Sequence, residues 1–206
     1  MALDQALIDL LCRGIADGVF PGATALVIDG ERTVARVLAG DRITTPQRLP
    51  MEIDTLFDLA SLTKPIATAT VVALLVEDGA LSTSDPVTRH LPEFTRDDVT
   101  VLHLLTHTSG LPAWKPLYLD PGDRDAVVTY LGTLPPDQPV GAKIVYSCLS
   151  YILLAELVTA VTGRTVGDLA AERIFGPLGM RATAFNPPAS LRESCAATES
   201  RSGAEK

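Results

Sequence analysis

The sequence predicts an α+β fold, in which an N-terminal helix precedes one antiparallel hairpin and helices make up most of the remainder. Three observations support this prediction: apolar residues at helical spacing at the start of the chain, two β-prone stretches around an Asp-Gly pair, and a long apolar stretch at residues 66–76. The chain has 206 residues, of which 47% are hydrophobic, so it can bury one sizeable core. We therefore expect a single domain over residues 1–206.

The first elements are a helix and a hairpin. Helical spacing predicts the helix, which Gly18 ends; its apolar residues are Leu3, Leu7, Leu10, Leu11 and Ile15. Residues 23–28 and 33–38 read as strands, and the Asp-Gly pair between them favours a tight turn. Residues 40–50 are predicted as loop. A two-stranded hairpin is not stable alone, so this one needs further strands or helix cover.

The stretch that organises the chain is residues 57–65, which immediately precede the apolar helix predicted from residue 66. Ser61 and Lys64 are three residues apart, so on a helix they share one face. A serine hydroxyl becomes a nucleophile when a base removes its proton, and a lysine whose pKa is lowered is one candidate base. Pro65 fits a first helical turn, where backbone N–H groups have no partner. The spacing alone is more typical of a capped helix start with a solvated lysine, so the case for a nucleophile depends on the rest of the sequence.

The second half of the chain reads as helices separated by turns. Helices are predicted at residues 100–107, 123–134 and 152–161, and a further one opens with a capping box at residues 165–168. Residues 187–206 are polar with many small side chains, so they are predicted as loop or disordered. His103 and His107 lie four residues apart, which would suit two metal ligands on one helix face. No completing ligand is near them, so packed or capping histidines are favoured and no metal site is expected.

Composition and charge limit the possible partners, sites and location of the protein. The formal net charge of −8 argues against nucleic acid or an anionic membrane as partner. Three widely spaced cysteines indicate neither a disulfide framework nor a zinc cluster. The N-terminus lacks the features of a signal peptide, and no stretch approaches a membrane span, so we expect a cytoplasmic protein without a cofactor.

Four segments, taken together, resemble the serine β-lactamase-related family, which includes class C β-lactamases, D-Ala-D-Ala peptidases and esterases. They are residues 61–64 (Ser-Leu-Thr-Lys), 105–112 (Leu-Thr-His-Thr-Ser-Gly-Leu-Pro), 146–148 (Tyr-Ser-Cys) and 177–180 (Pro-Leu-Gly-Met). They occur in the family's order and at similar separations. The resemblance implies a β-lactamase/transpeptidase-like fold, in which a helical region packs on an antiparallel sheet.

The resemblance also implies roles for individual residues. Ser61 would be the acylated nucleophile and Lys64 its partner. Tyr146 would carry a proton between nucleophile and leaving group, which requires that a nearby ammonium lower its pKa from about 10. Read alone, Tyr146 is more typical of a half-buried aromatic residue at the start of a helix, and the order of the four segments is what favours the catalytic role.

Two further residues are predicted to contact substrate, Cys148 and Trp114. Cys148 stands where the family usually has asparagine and sometimes serine. A thiol is a weak hydrogen-bonding group, so this departure puts β-lactam or peptide recognition in doubt more than ester cleavage. Trp114 lies on a long predicted loop, where it would line a substrate cleft or anchor the core.

The predicted function is therefore that of a serine hydrolase that forms an acyl-enzyme on Ser61, acting on small esters. The alternatives are a β-lactamase or D-Ala-D-Ala carboxypeptidase, and an inactive relative that serves as a binding or inert module. The family's third motif, Lys-Thr-Gly or His-x-Gly on an edge strand, has no counterpart after Tyr146. By the resemblance the chain lacks the C-terminal part of the domain, so self-association or a separate C-terminal segment is expected to complete the sheet.

Overall fold

The computed structural model describes residues 2–119 and 123–198. Contacts within the chain divide it into two compact units: Met1–Leu59 together with Asn186–Lys206, and Ala60–Phe185. The first unit contains all three strands found in the described part of the chain, and the second contains most of the helices. This distribution confirms the predicted α+β composition, whereas the single domain over residues 1–206 stays a prediction.

The first unit is a small antiparallel sheet covered by one helix. Its strands are β1 (Gly22–Asp29), β2 (Arg32–Ile43) and β3 (Leu49–Pro50), in the order β1-β2-β3. Helix α1 (Ala2–Ala16) packs mainly on β2, on whose buried side Ala35 and Val37 lie. Gly40, at φ 77°, lets β2 pass close to the chain before β1, since a Cβ there would lie 2.3 Å from the carbonyl oxygen of Pro21.

The prediction of a loop over residues 40–50 is wrong at both ends of this range, where the structure has strand. Strand β2 continues to Ile43, which pairs with Leu49, and Asp41 pairs with Pro50. Side chains do not alternate between apolar and polar along residues 41–43, so the sequence pattern carries no strand signal there. Backbone pairing with β3 extends the strand instead, and the sheet has a third strand that the sequence did not predict.

The tail of the first unit is partly ordered. Residues Ala189–Ser194 form a 3-10 helix, within the segment 187–206 that the sequence predicts as loop or disordered. Leu56 bridges Cys195: its N–H donates to the carbonyl of Ser194 at 2.9 Å, and its carbonyl accepts from the N–H of Ala196 at 2.8 Å. Residues 199–206 lie outside the described part of the chain.

The second unit is a helical core. A helical run over Ala60–Glu77 consists of a 3-10 turn (Ala60–Leu62), a π-helical segment (Lys64–Ala69) and α2 (Thr70–Glu77). The other α-helices are α3 (Val101–Leu105), α4 (Arg124–Thr133), α5 (Cys148–Thr162) and α6 (Val166–Ala170). Helix α5 is central, since α2, α3, α4 and α6 all contact it. Its side chains Leu149, Leu153 and Leu157 are fully buried.

Helix ends in this unit follow the local sequence. Ser147 caps α5 by accepting from the N–H of Ser150, and Gly163 ends the helix at φ 69°. The predicted capping box at Thr165 is confirmed, since its side chain and that of Asp168 each accept a backbone N–H of the other. His103 plays the same part for α3, because it forms a capping box with Thr100.

The run Ala60–Glu77 also has a property that the sequence analysis did not expect. By length and composition alone, its 18 residues are apolar enough to cross a membrane. A core helix of a soluble protein passes the same test, so this is weak evidence for a membrane span. Val71, Val72 and Leu75 from this run lie in the hydrophobic core of the second unit.

Candidate active site

The structure brings Ser61, Lys64 and Tyr146 together, although Tyr146 is 85 residues away from Ser61 in the chain. Tyr146 OH donates to Ser61 Oγ at 2.8 Å, and Lys64 Nζ donates to the same oxygen at 3.2 Å. The Lys64 ammonium also lies 5.0 Å from the centre of the Tyr146 ring. All three side chains belong to the second unit. Their contacts make Ser61 Oγ the shared atom of the cluster.

Ser61 is presented by an unusual backbone. Ala60, which immediately precedes it, has φ 43°, in the left-handed region that non-glycine residues rarely adopt. The 3-10 turn that follows carries Ser61 at the exposed start of the helical run. Lys64 opens the next segment one turn later, with Pro65 in its first turn as predicted. Strained residues cluster at functional sites, because the surrounding structure must hold them in place.

Tyr146 is presented by a short segment that leads into α5. The Ser147 hydroxyl donates to the carbonyl of Pro112 at 2.7 Å, and the Cys148 N–H donates to the carbonyl of Ala113 at 2.8 Å. Ser147 is fully buried, whereas Tyr146 remains 49% exposed. These contacts fix the chain at the start of α5, so that the phenol reaches Ser61 while remaining open to a ligand.

The electrostatics of the cluster favour ionisation of the Tyr146 phenol. Its hydrogen bond with Lys64, and then that with Ser61, lower the pKa of the Tyr146 phenol. Burial alone would lower the pKa of Lys64, but the neighbouring Tyr146 and Cys148 side chains outweigh it, and the pKa of Lys64 is raised. The hypothesis of Lys64 as a base requires a lowered pKa, and the raised direction does not support it, so the role of Lys64 stays a prediction. A raised pKa favours the ammonium form of Lys64, which in turn favours the phenolate of Tyr146.

The two residues predicted to contact substrate occupy different surroundings. Cys148 begins α5, and its thiol interacts with the Lys64 ammonium, which places it beside the cluster. Trp114 follows Ala113 on the loop that receives the Cys148 N–H, and it is 56% exposed. That exposure excludes the alternative of a core anchor for Trp114. Substrate contact by either residue stays a prediction.

His107 is a residue at this site that sequence reasoning missed. Its ring lies between two tyrosine rings, with centroids 4.7 Å from Tyr146 and 5.0 Å from Tyr151, and its Nδ1 accepts from the N–H of Ser147 at 3.1 Å. Burial first, and then the Lys64 charge, lower the pKa of His107. The sequence analysis interpreted His107 as a packed or capping histidine. The ring is indeed packed between aromatic rings, but its contact with Tyr146 was not predicted. The only sequence signal was its place in the segment 105–112.

The histidines predicted at four-residue spacing have other contacts in the structure. Among residues 2–119 and 123–198, no three side chains of histidine, cysteine, aspartate or glutamate gather closely enough to hold a metal ion. His103 instead accepts the Thr100 N–H through Nδ1 at 3.1 Å, as part of its helix cap.

Comparison with known proteins identifies the family. A family model described as "Beta-lactamase" matches residues 7–206, almost the whole chain. The chain belongs to the beta-lactamase family. Similar proteins include an N-acetylmuramyl-L-alanine amidase of Bacillus subtilis (strain 168), which is 31% identical over 85% of this chain and 44% of its own length. The D-alanyl-D-alanine-carboxypeptidase/endopeptidase AmpH of Escherichia coli (strain K12) is 30% identical over 84% of this chain and 48% of its own length.

Solved structures confirm the predicted fold for this member of the beta-lactamase family. A crystal structure of a class C beta-lactamase superposes with a TM-score of 0.83 and 26% identity, covering 95% of this chain and 55% of that chain. A beta-lactamase/D-alanine carboxypeptidase from Yersinia pestis superposes with a TM-score of 0.78 and 25% identity, over 95% of this chain and 59% of that one. The chain spans about half the length of the curated relatives it matches, which are named as an amidase and a carboxypeptidase/endopeptidase.

Proposed function

We propose that this chain carries the catalytic serine, tyrosine and lysine of a serine hydrolase that acts on small esters. The observation that carries the proposal is the pair of contacts at Ser61 Oγ, with Tyr146 OH at 2.8 Å and Lys64 Nζ at 3.2 Å. A nucleophile within hydrogen-bonding reach of a base, which a third group holds and tunes, is the arrangement that covalent acyl transfer needs.

The reaction follows from these three side chains. The Tyr146 phenolate takes the proton of Ser61 as Oγ attacks the ester carbonyl, and a C–O bond forms to give a tetrahedral intermediate. The intermediate then collapses, the bond to the alcohol breaks, and Tyr146 gives its proton to the leaving oxygen. In the second half Tyr146 takes a proton from a water molecule as the water attacks the acyl carbonyl. The bond from the acyl carbon to Ser61 Oγ then breaks, Tyr146 returns the proton to Ser61, and the acid is released. Lys64 remains charged throughout and stabilises the phenolate.

Cys148 is the reason for proposing an ester rather than an amide. An asparagine offers a carbonyl acceptor and two N–H donors to a substrate amide, whereas a thiol offers only weak contacts. An ester makes fewer demands on such a position, because it has no N–H to satisfy. We expect Cys148→Asn to raise turnover of a D-alanyl peptide or a β-lactam relative to that of p-nitrophenyl acetate. Equal changes for both substrate classes would remove Cys148 as a determinant of substrate choice.

Two other functions remain as candidates. The names of the relatives favour a β-lactamase or D-Ala-D-Ala carboxypeptidase, which would use the same Ser61 chemistry on an amide. An inactive binding module is the third candidate. The negative charge of the chain, −8, supports a small-molecule substrate rather than a nucleic acid or an anionic membrane surface in each case.

Reaction with a fluorophosphonate, followed by intact-mass spectrometry, tests the proposal. We expect one adduct per chain on Ser61, and none in Ser61→Ala, because Ser61 Oγ contacts both Tyr146 OH and the Lys64 ammonium. Ser84 is a matched control, since Ser84→Ala removes an exposed hydroxyl of the same unit and should leave labelling unchanged. Labelling that persists in Ser61→Ala, or no labelling of the wild-type chain, would overturn the assignment.

A further inference from the structure

His107 fixes the segment of Tyr146 from both sides. The Val145 N–H donates to the His107 carbonyl at 2.8 Å, and the Ser147 N–H donates to His107 Nδ1 at 3.1 Å. Between these two bonds, the His107 ring lies against the Tyr146 ring at 4.7 Å with an interplanar angle of 42°. One histidine thus contacts Tyr146 and both of its neighbours in the chain.

We propose that His107 is a positioning residue, which must be neutral for Tyr146 to stay within reach of Ser61. The inference rests on the proposed function, since it concerns the same proton transfer. His107 contacts neither Ser61 nor, by the proposal, the substrate; it acts through the place that it gives to Tyr146. Enzyme rates are sensitive to such placement, because a displacement of about 1 Å can cost about 10²-fold in rate.

The hydrogen bond to Nδ1 makes the protonation state decisive. In the neutral ring Nδ1 accepts from Ser147, so the proton lies on Nε2. Protonation would place an N–H of the ring against the N–H of Ser147, and the hydrogen bond would be lost. It would also add a positive charge beside Lys64, whose field already opposes protonation of His107.

The surroundings keep His107 neutral near physiological pH. The titratable and charged groups that face its ring are Lys64 from the helical run, and Tyr146 and Tyr151 from the start of α5. Burial and the Lys64 ammonium hold the pKa of His107 below its usual 6.5. His107 is therefore neutral and able to position Tyr146 above pH 6.5. This positioning is lost as the pH falls through the lowered pKa of His107.

The backbone of His107 provides a discriminating pair of substitutions. Its φ is 57°, which asparagine adopts more readily than other side chains, and an asparagine oxygen can accept the Ser147 N–H. His107→Asn therefore keeps the acceptor and removes the titration. His107→Leu has a similar size but removes both.

The first experiment measures the rate of fluorophosphonate labelling of Ser61 between about pH 5 and about pH 9, where histidine titrates. In the wild-type chain the logarithm of the rate should rise with a slope of about one, from ionisation of Tyr146, and steepen to about two below the pKa of His107. We expect His107→Asn to label at a rate close to wild type near pH 8 and to keep a slope of about one throughout. His107→Leu should label about 10²-fold more slowly than the wild-type chain above the pKa of His107, and the difference should narrow below that pKa.

The other two histidines are matched controls, because the chain has three in all. His90, which pairs with Asp85, and His103, which caps α3, do not contact the Tyr146 segment in the described structure. His90→Asn and His103→Asn should each keep the steepening below the pKa of His107. Its disappearance in either control, or its persistence in His107→Asn, would overturn the proposal.

A second measurement does not depend on activity. The pKa of Tyr146 can be obtained from the ultraviolet absorbance of tyrosinate, as the difference between a chain and its Tyr146→Phe counterpart. In His107→Leu the phenol should move away from Lys64, and its pKa should rise towards about 10. In His107→Asn it should stay lowered. An unchanged Tyr146 pKa and wild-type labelling in a folded His107→Leu chain would refute the positioning role. If His107→Leu does not fold, His107→Asn decides the question.

These readouts separate the two proposals. A wild-type chain that does not label at Ser61 defeats the proposed function, while the tyrosinate titration still decides whether His107 places Tyr146. Labelling of Ser61 with no dependence on His107 leaves the hydrolase standing and defeats the inference.

Discussion

At the scale of single residues, the site is built around one oxygen atom, Ser61 Oγ, and around a lysine whose pKa is raised. Tyr146 and Lys64 shift each other's pKa in the directions expected of a phenolate and an ammonium held together. Of the three non-glycine residues with positive φ in the described chain, two adjoin this cluster: Ala60 precedes Ser61, and His107 contacts Tyr146. The residues with a strained backbone and the charged side chain of Lys64 therefore lie in the same cluster around Ser61.

Substitution of Lys64 tests whether its charge is what matters. We expect Lys64→Met to slow labelling of Ser61 more than Lys64→Arg, because an opposite charge nearby lowers a pKa by about 1–3 units and arginine keeps that charge. Wild-type labelling should rise through a pKa below 10.0, that of Tyr146, and fall above 10.5 as Lys64 loses its proton. Equal loss in both variants would mean that the geometry of the amine, and not its charge, is required.

The sequence predicted some residues of the site and missed others. The missed ones depend on contacts between residues that are far apart in the chain. The spacing of Ser61 and Lys64 is local, and the order of the four family segments placed Tyr146 beside them. His107 was missed because its role depends on the Ser147 N–H, 40 residues away, and no local pattern encodes that contact. The direction of the Lys64 pKa was also missed, since it follows from neighbours that only the folded chain assembles.

At the scale of secondary-structure elements, the position at which α5 begins determines where Tyr146 lies. Its cap residue Ser147 bonds to Pro112, and its first residue Cys148 bonds to Ala113, so the start of the helix is tied to the loop that follows α3. The sequence predicted the body of this helix from its apolar residues but placed its start four residues late. The cap, which the structure reveals, is also what orients Tyr146.

Removal of the α5 cap should cost both stability and reactivity. Ser147→Ala removes an N-cap and leaves the buried carbonyl of Pro112 without its donor, so we expect a loss of about 1–3 kcal/mol in the free energy of unfolding. Thr165→Ala, which removes the exposed cap of α6, is the matched control at about 1 kcal/mol. Urea unfolding measures both, and labelling of Ser61 should slow only in Ser147→Ala. An equal effect of the two substitutions on labelling would contradict the role of the α5 cap.

At the scale of the whole molecule, the sheet of the first unit is small for its apolar surface. Within the described residues β1 pairs only with β2, and its side chains Leu26 and Ile28 are 51% and 59% exposed. The unpaired edge of a strand beside apolar surface favours association with another strand. The third strand, which the sequence missed, lies on the far side of β2 and leaves this edge open.

We expect the 206-residue chain to self-associate, and to be a weak hydrolase, unless a segment with further strands covers β1. Sedimentation velocity of the purified chain should show concentration-dependent oligomers, and Leu26→Lys with Ile28→Lys should reduce them by adding charge to the exposed surface. Ile144→Lys is the control, since Ile144 is 78% exposed in the second unit. A stable monomer with enzyme-like ester turnover would show that no covering segment is needed.

The confinement of the reacting groups to Ala60–Phe185 has a consequence for how such a protein can diversify. Ser61, Lys64, Tyr146 and His107 all lie in this one uninterrupted stretch, and the contacts described among them stay inside it. Mutation or recombination elsewhere in a chain that contains this stretch can therefore change substrate binding without changing the hydrogen bonds of Ser61 Oγ with Tyr146 and Lys64. In engineering terms, residues 60–185 are the part to leave unchanged when a library is built to alter substrate choice.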